Sequence, residues 1–192
     1  HGRISVCFTP DEEVGHGAAL LDLERFGADF AYTMDGGVLN EVNFETFNAA
    51  SAHWEINGFN IHPGDAKNTM INACLVAMEI NSMLPSGDTP AKTEGYEGFF
   101  HLMEMSGTVE AAALDYIVRD HDAAAFAVRK ETMRHIEKLI NEKYGAGTAK
   151  LTLADQYRNM AECLSAHMEV VELAEKAVAV DIILNLISES IA

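Results

Sequence analysis

Three acids stand side by side in the stretch FTPDEEVGHG, Phe8 to Gly17, directly after the apolar run Ile4-Ser5-Val6-Cys7-Phe8. Carboxylates this close disfavour each other's ionisation. A pair of bound divalent cations removes that cost. One carboxylate then ligates a metal, while its neighbour, held off the metal, takes a proton from bound water. A second reading of the same residues is purely local: TPDEE suits a helix N-terminus, with a Thr or Asp cap, a proline in the first turn and acids facing the helix dipole. Chemistry alone leaves both readings open. A further acid turn, Asp35-Gly36-Gly37, follows the strand-like run DFAYTM.

The elements that would position these acids come in a regular order. Residues 3–9 read as a buried strand, and Gly17 to Phe26 as a helix with apolar residues at Leu20, Leu21, Leu23 and Phe26. Asp29 to Met34 reads as a second strand. In open α/β sheets, ligands collect outside the carboxyl ends of parallel strands, and that is the edge where Glu12, Glu13 and Asp35 would lie.

The middle of the chain has another rhythm. In Ala52 to Asn57, the residues Ala52, Trp54 and Ile56 alternate with His53, Glu55 and Asn57. After His62-Pro63-Gly64 comes a helix whose face is marked by Ile71, Cys74, Leu75 and Met78 and which stops at Leu84-Pro85. Two strands follow, Phe99 to Met105 and Thr108 to Arg119, joined at Ser106-Gly107. A helix from Ala123 to Lys143 carries its stripe at Phe126, Met133, Ile136 and Ile140, and Lys150 to Ala154 forms a last strand. The order β-α-β-β-α-β is the split βαβ, ferredoxin-like arrangement. The expected organisation is therefore residues 1–45 as part of an α/β sheet domain, 46–158 as a compact insert, and 159–192 as helices returning to the first domain.

The chain has 192 residues, is 48% apolar and carries a formal net charge of −17, a globular composition. That charge argues against nucleic acid and anionic membranes, both of which call for Lys and Arg, and is compatible with divalent cations. Cys7, Cys74 and Cys163 form no CxxC pair, and their apolar surroundings predict small buried hydrophobes. With no secretory leader in view, a reducing cytoplasm is the expected location. The most apolar stretch, Ala177 to Ile187, is interrupted by Asp181 and is too short to span a bilayer.

Several motifs together resemble a known family. HGRISVCFTPDEEVGHGA, AYTMDGG, NIHPGDAKN, EGYEGFFHL, DYIVRDHD and DQYRNM occur in an order similar to that of the di-zinc metallopeptidases related to aminoacylases and carboxypeptidase G, and within them the peptidase T subgroup of tripeptide aminopeptidases. The resemblance implies a zinc-peptidase α/β domain with an inserted lid that also serves dimerisation. It implies two zinc ions, tripeptide substrates and a homodimer formed through the lid. Glu12 resembles the general base, Glu13 a ligand of one zinc and Asp35 a ligand of the other. His62 resembles the lid histidine, often the partner subunit's, that stabilises the tetrahedral oxyanion, and Arg119 the residue that binds the substrate's terminal carboxylate. These are chemically apt roles: an imidazole donor suits a developing negative charge, and a guanidinium offers a carboxylate two parallel bonds. The bland readings are a turn histidine and an ion pair of Arg119 with its neighbour Asp120.

The chain also departs from that pattern. The family's earlier His-x-Asp motif with a bridging Asp, its RGGTDG-like run and its last zinc-binding His do not occur. Instead HMEVVELAEKAV passes almost directly into AVDIILNLISESIA, which resembles the family's final helix. The expectation is a partial or internally deleted version that lacks several zinc ligands, does not retain the metal and is inactive alone. The other readings are a non-catalytic dimerising lid module and another peptidase or deacylase of the same family.

Overall fold

The computed structural model describes residues 2–10, 20–34 and 41–189, with side chains up to residue 179. The chain divides into two compact units, Asn43–His167, and His1–Val42 with Met168–Ala192.

The Asn43–His167 unit contains, in order, β1 (Asn48–Asn57), α2 (Ala73–Met83), β2 (Phe99–Gly107), β3 (Ala111–Asp120), α3 (Ala123–Tyr144), β4 (Ala149–Tyr157) and the short α4 (Ala161–Leu164). The helix numbering counts α1 (Leu23–Phe26) and α5 (Met168–Glu189) of the other unit. The four strands form one sheet in the order β2-β3-β1-β4, every neighbouring pair antiparallel. This is the ferredoxin-like arrangement that the element order predicts. Asn72 caps α2 by accepting from the Leu75 amide, and Asp122 caps α3 by accepting from Ala125.

Both α2 and α3 cover one face of the sheet. Trp54 and Ile56 of β1, Leu114 and Val118 of β3, Ile80 of α2 and Met133 and Ile140 of α3 are essentially inaccessible there. Each large apolar side chain so buried stabilises the fold by about 1.5–3 kcal/mol relative to exposure. The alternation expected over Ala52–Asn57 holds, as does the α3 stripe of Phe126, Met133, Ile136 and Ile140.

The buried face of α2 differs from the one the apolar spacing suggests. Ala73, Val76, Ala77 and Ile80 face the core, whereas Leu75 is 61% and Met78 59% exposed. The helix is apolar on nearly every side, so periodicity could not choose a face. Packing chose the one with two alanines, which lets the helix lie close to the sheet. The hairpin turn also lies later than expected, at Thr108-Val109-Glu110, because β2 continues through Gly107.

In the other unit, the predicted helix over residues 17–26 is a single turn, α1, among the described residues. Asp22 caps it and Gly27 closes it at φ 61°. Tyr32 Oη donates to the Val170 carbonyl of α5 at 2.7 Å, and Ser5 Oγ to the Phe26 carbonyl at 3.4 Å. The strands predicted at 3–9 and 29–34 have no ladder pairing among the described residues. A strand exists only against a partner, and without one Ile4 and Phe8 are 89% and 92% exposed. Cys7 and Cys163 are exposed and Cys74 half-buried, against the expectation that all three are core residues. No described helix is long and apolar enough to cross a membrane.

Candidate functional site

Of the candidate residues, Glu12, Glu13 and Asp35 lie outside the described residues. The two others, His62 and Arg119, both belong to the Asn43–His167 unit.

His62 sits in the loop that leaves the end of β1. That loop is tied down by the Phe59–Ile71 bridge and by the Gly58 amide donating to the Glu110 carbonyl at 2.8 Å. Gly58 is required at this close approach, because a Cβ there would run into the carbonyl oxygens of Val109 and Ile71. His62 caps a short 3₁₀ turn, Pro63–Asp65, with its Nδ1 accepting from the Gly64 amide at 3.2 Å. A ring that accepts at Nδ1 in its neutral form carries its hydrogen on Nε2, and the His62 side chain is exposed.

Arg119 lies near the far end of β3, on the sheet face that the helices leave open. Its Nη1 donates to the carbonyls of Val118 at 3.0 Å and Ala50 at 3.3 Å, and its Nη2 to Gln156 Oε1 at 3.1 Å. The guanidinium carbon stands 5.4 Å from the centre of the Tyr157 ring. The ion pair with Asp120 does not form, because successive strand residues point to opposite faces. Asp120 instead binds Arg129 Nε at 2.7 Å on the helix side, and Arg129 Nη1 reaches Asp88 at 2.6 Å. Burial by itself would lower the Arg129 pKa, but its hydrogen bonds to Asp120 and Asp88 outweigh this and raise it.

The two candidates are anchored at opposite ends of β1. In the β1–β3 register Arg119 is opposite Ala49, while the His62 loop begins beyond Asn57, opposite Ala111. Eight residues of strand at about 3.3 Å each put about 26 Å between those positions. The open face between them carries His53, whose Nδ1 is 2.6 Å from Asp115 Oδ1 on the neighbouring strand, and the Glu55–Lys150 pair at 2.6 Å. Among the described residues no group of three or more His, Cys, Asp or Glu side chains could hold a metal ion.

Sequence reasoning missed Gln156 and Tyr157, the residues that fix the Arg119 guanidinium. They fall inside DQYRNM, which was legible as a motif. Their joint orientation depends on a bulge in β4 that no residue type announces.

The ferredoxin-like sheet thus has both helices on one face and leaves the other, arginine-bearing face open. Residues 44–148 match the peptidase dimerisation domain family, and the chain belongs to that family. It is 55% identical over 177 residues to a peptidase T of Clostridium perfringens, a match that covers 92% of this chain and 44% of the relative. A peptidase T of Fusobacterium nucleatum is 49% identical over 177 residues, with 92% and 43% covered. The chain thus spans under half the length of the curated relatives it matches. Among solved structures, the fold is similar to that of the aminopeptidase PepT from Bacillus cereus, with a TM-score of 0.65 at 20% identity over 79% of this chain and 41% of that one. A tripeptidase from Staphylococcus aureus gives a TM-score of 0.66 at 21% identity, with the same coverage of each chain.

Proposed function

We propose that this chain is the lid-bearing part of a cytoplasmic tripeptide aminopeptidase that works as a homodimer. The observation that carries this reading is the 55% identity over 177 residues to a protein named peptidase T. Residue types and geometry support roles for individual side chains. Arg119, with its charge held on the open sheet face, binds the terminal carboxylate of a short peptide. His62, an exposed imidazole, donates to the oxyanion as the peptide carbonyl is attacked. Glu12 takes the proton from the attacking water.

Zinc dependence belongs to the same proposal, with Glu13 and Asp35 as ligands. These two residues do not amount to a site. Zinc takes about four ligands, commonly including imidazole or thiolate, and two carboxylates leave that set incomplete. Hydrolysis is therefore assigned to the protein that carries this sequence at the length of its relatives.

Dimerisation through the lid is supported by the contrast between the two sheet edges. At the β4 edge, Glu137 of α3 reaches over and accepts from the Leu151 amide at 2.8 Å, and Lys130 binds Asp155 at 2.7 Å. Such side-chain cover blunts an edge against further pairing. At the β2 edge, among the described residues, the Phe100 amide is covered by the Asp88 carbonyl at 2.9 Å. Past it, Met103 and Met105 are exposed, as are Leu75 and Met78 on α2, the helix nearer this edge.

The test is hydrolysis of trialanine by this chain and by the full-length protein, followed by chromatography of the products. Release of free alanine and dialanine by the full-length protein alone is the expected result. Absence of hydrolysis in both, with a dimer retained, would overturn the peptidase reading in favour of a non-catalytic dimerising module.

A further inference from the structure

We propose that Gln156 and Tyr157 are positioning residues that lock the Arg119 guanidinium with one bidentate edge free, and so make the lid selective for peptides with an unblocked C-terminal carboxylate. The inference rests on the reading of Arg119 as the carboxylate binder and adds to it the device that aims it.

The device is a β-bulge. Along the β1–β4 ladder, Ala50 pairs with Asp155 and Ala49 with Tyr157, so Gln156 is an extra residue without a partner on β1. On a regular strand, residues 156 and 157 would point to opposite faces. Here both engage the same guanidinium, Gln156 through its Oε1 at 3.1 Å and Tyr157 through its ring at 5.4 Å. Bulges re-aim side chains in this way. The bulge also sits on the strand pair whose Ala50 carbonyl accepts from Arg119 Nη1.

The guanidinium keeps a defined set of donors for a ligand. Both Nη1 hydrogens are taken by the carbonyls of Ala50 and Val118, and one Nη2 hydrogen by Gln156. Nε–H and the second Nη2–H have no partner among the described residues. With Gln156 on the Nη2 hydrogen that faces Nη1, a carboxylate accepting from Nε and the remaining Nη2 hydrogen makes the two parallel bonds that favour arginine over lysine. A C-terminal amide cannot match this, because its NH₂ group would face donors with a donor. Without Gln156, Nη2 gains a free hydrogen and the group turns about its last torsions. The charge remains, held through Nη1 and the Tyr157 ring alone, and its aim loosens.

The experiment uses the full-length protein, ¹⁵N-labelled, with trialanine and trialanine amide as probes and the Arg119 Nε–H cross-peak as readout. For the wild type, trialanine is expected to shift this peak and to bind at least about tenfold more tightly than the amide. Arg119→Ala should abolish the preference, whereas Gln156→Ala should reduce it several-fold with unchanged amide affinity and unchanged thermal midpoint. In Gln156→Ala the ligand-free Arg119 Nε–H should also exchange faster with water. If Arg119→Ala keeps the preference, or trialanine leaves the wild-type peak unmoved, the carboxylate reading fails and this inference with it. If Arg119→Ala loses the preference while Gln156→Ala keeps both the preference and the slow exchange, the carboxylate reading stands and the positioning role is refuted.

Discussion

Asp120 is only 4% exposed, yet it is a carboxylate, and three neighbours make that tolerable. Arg129 Nε donates to one oxygen at 2.7 Å, the Asp122 amide donates to the other at 3.0 Å, and Gly98 leaves room for the group, since a Cβ there would collide with it. Removing Arg129 leaves a buried charge with one amide donor. Arg129→Ala should therefore cost about 3 kcal/mol or more in urea unfolding, well above a surface ion pair. A loss under about 1 kcal/mol would mean that water reaches Asp120 without help. Glu79 behaves differently, because it is partly exposed. The Lys143 ammonium and the Tyr144 hydroxyl, each donating at 2.6 Å, hold its carboxyl below the usual carboxylate range. A depressed carboxylate adds stability above its unfolded value, near 4.5, and loses it as the pH falls through the folded value. Glu79→Gln should thus lower the urea midpoint at pH 7, and the gap from wild type should close as the pH drops below about 4.5. A gap that persists at pH 3 would assign the effect to packing.

Among the elements, the two sheet edges carry the clearest consequence. The β4 edge is covered by Glu137 and Lys130, while the outer part of β2 is bare among the described residues and lies beside exposed methionines. Met105→Lys sets a charge into that bare edge and should move the dimer towards monomer in sedimentation. Thr152→Lys, on the open face of the covered strand, should leave it dimeric. If Met105→Lys sediments as wild type does, β2 is not the joining strand. The same elements show what the sequence could and could not disclose. The insert was legible because its signals are local: alternation in β1, a four-residue stripe in α3, and Pro85 after α2. The face of α2 was not, because Leu75 and Met78 are as apolar as Val76 and Ile80, and only the close fit of Ala73 and Ala77 on the sheet selects between them. Nor was the pairing of Asp120 with Arg129 rather than with its neighbour Arg119, which depends on the tertiary approach of α3. Strand patterns at 3–9 and 29–34 mark residues suited to a sheet, but a ladder needs neighbours, and pattern alone cannot supply them. At the candidate site, Arg119 and His62 were legible from their motifs, while Gln156 and Tyr157 needed the bulge.

At the scale of the whole molecule, the length of the sheet constrains how a small peptide can be handled. An extended tripeptide is at most about 11 Å long. The sheet positions that anchor Arg119 and the His62 loop are about 26 Å apart along β1. If the two side chains stand as far apart as these anchoring positions, they can act on the same tripeptide only from two copies. A symmetric dimer meets this requirement twice, since each residue that crosses in one direction crosses in the other. The consequence is complementation. In the full-length protein, His62→Ala and Arg119→Ala should each abolish most trialanine hydrolysis as homodimers. A dimer with one chain of each kind has one site with both residues intact and one with neither. Random reassortment makes about half of all dimers mixed, so the mixture should recover up to about a quarter of wild-type activity. Recovery on mixing would show that the dimer is part of the active site. Failure to recover, in a sample whose heterodimers are demonstrated by differential tagging, would mean that the two residues do not cooperate across copies. The sheet would then be long for a reason other than catalysis.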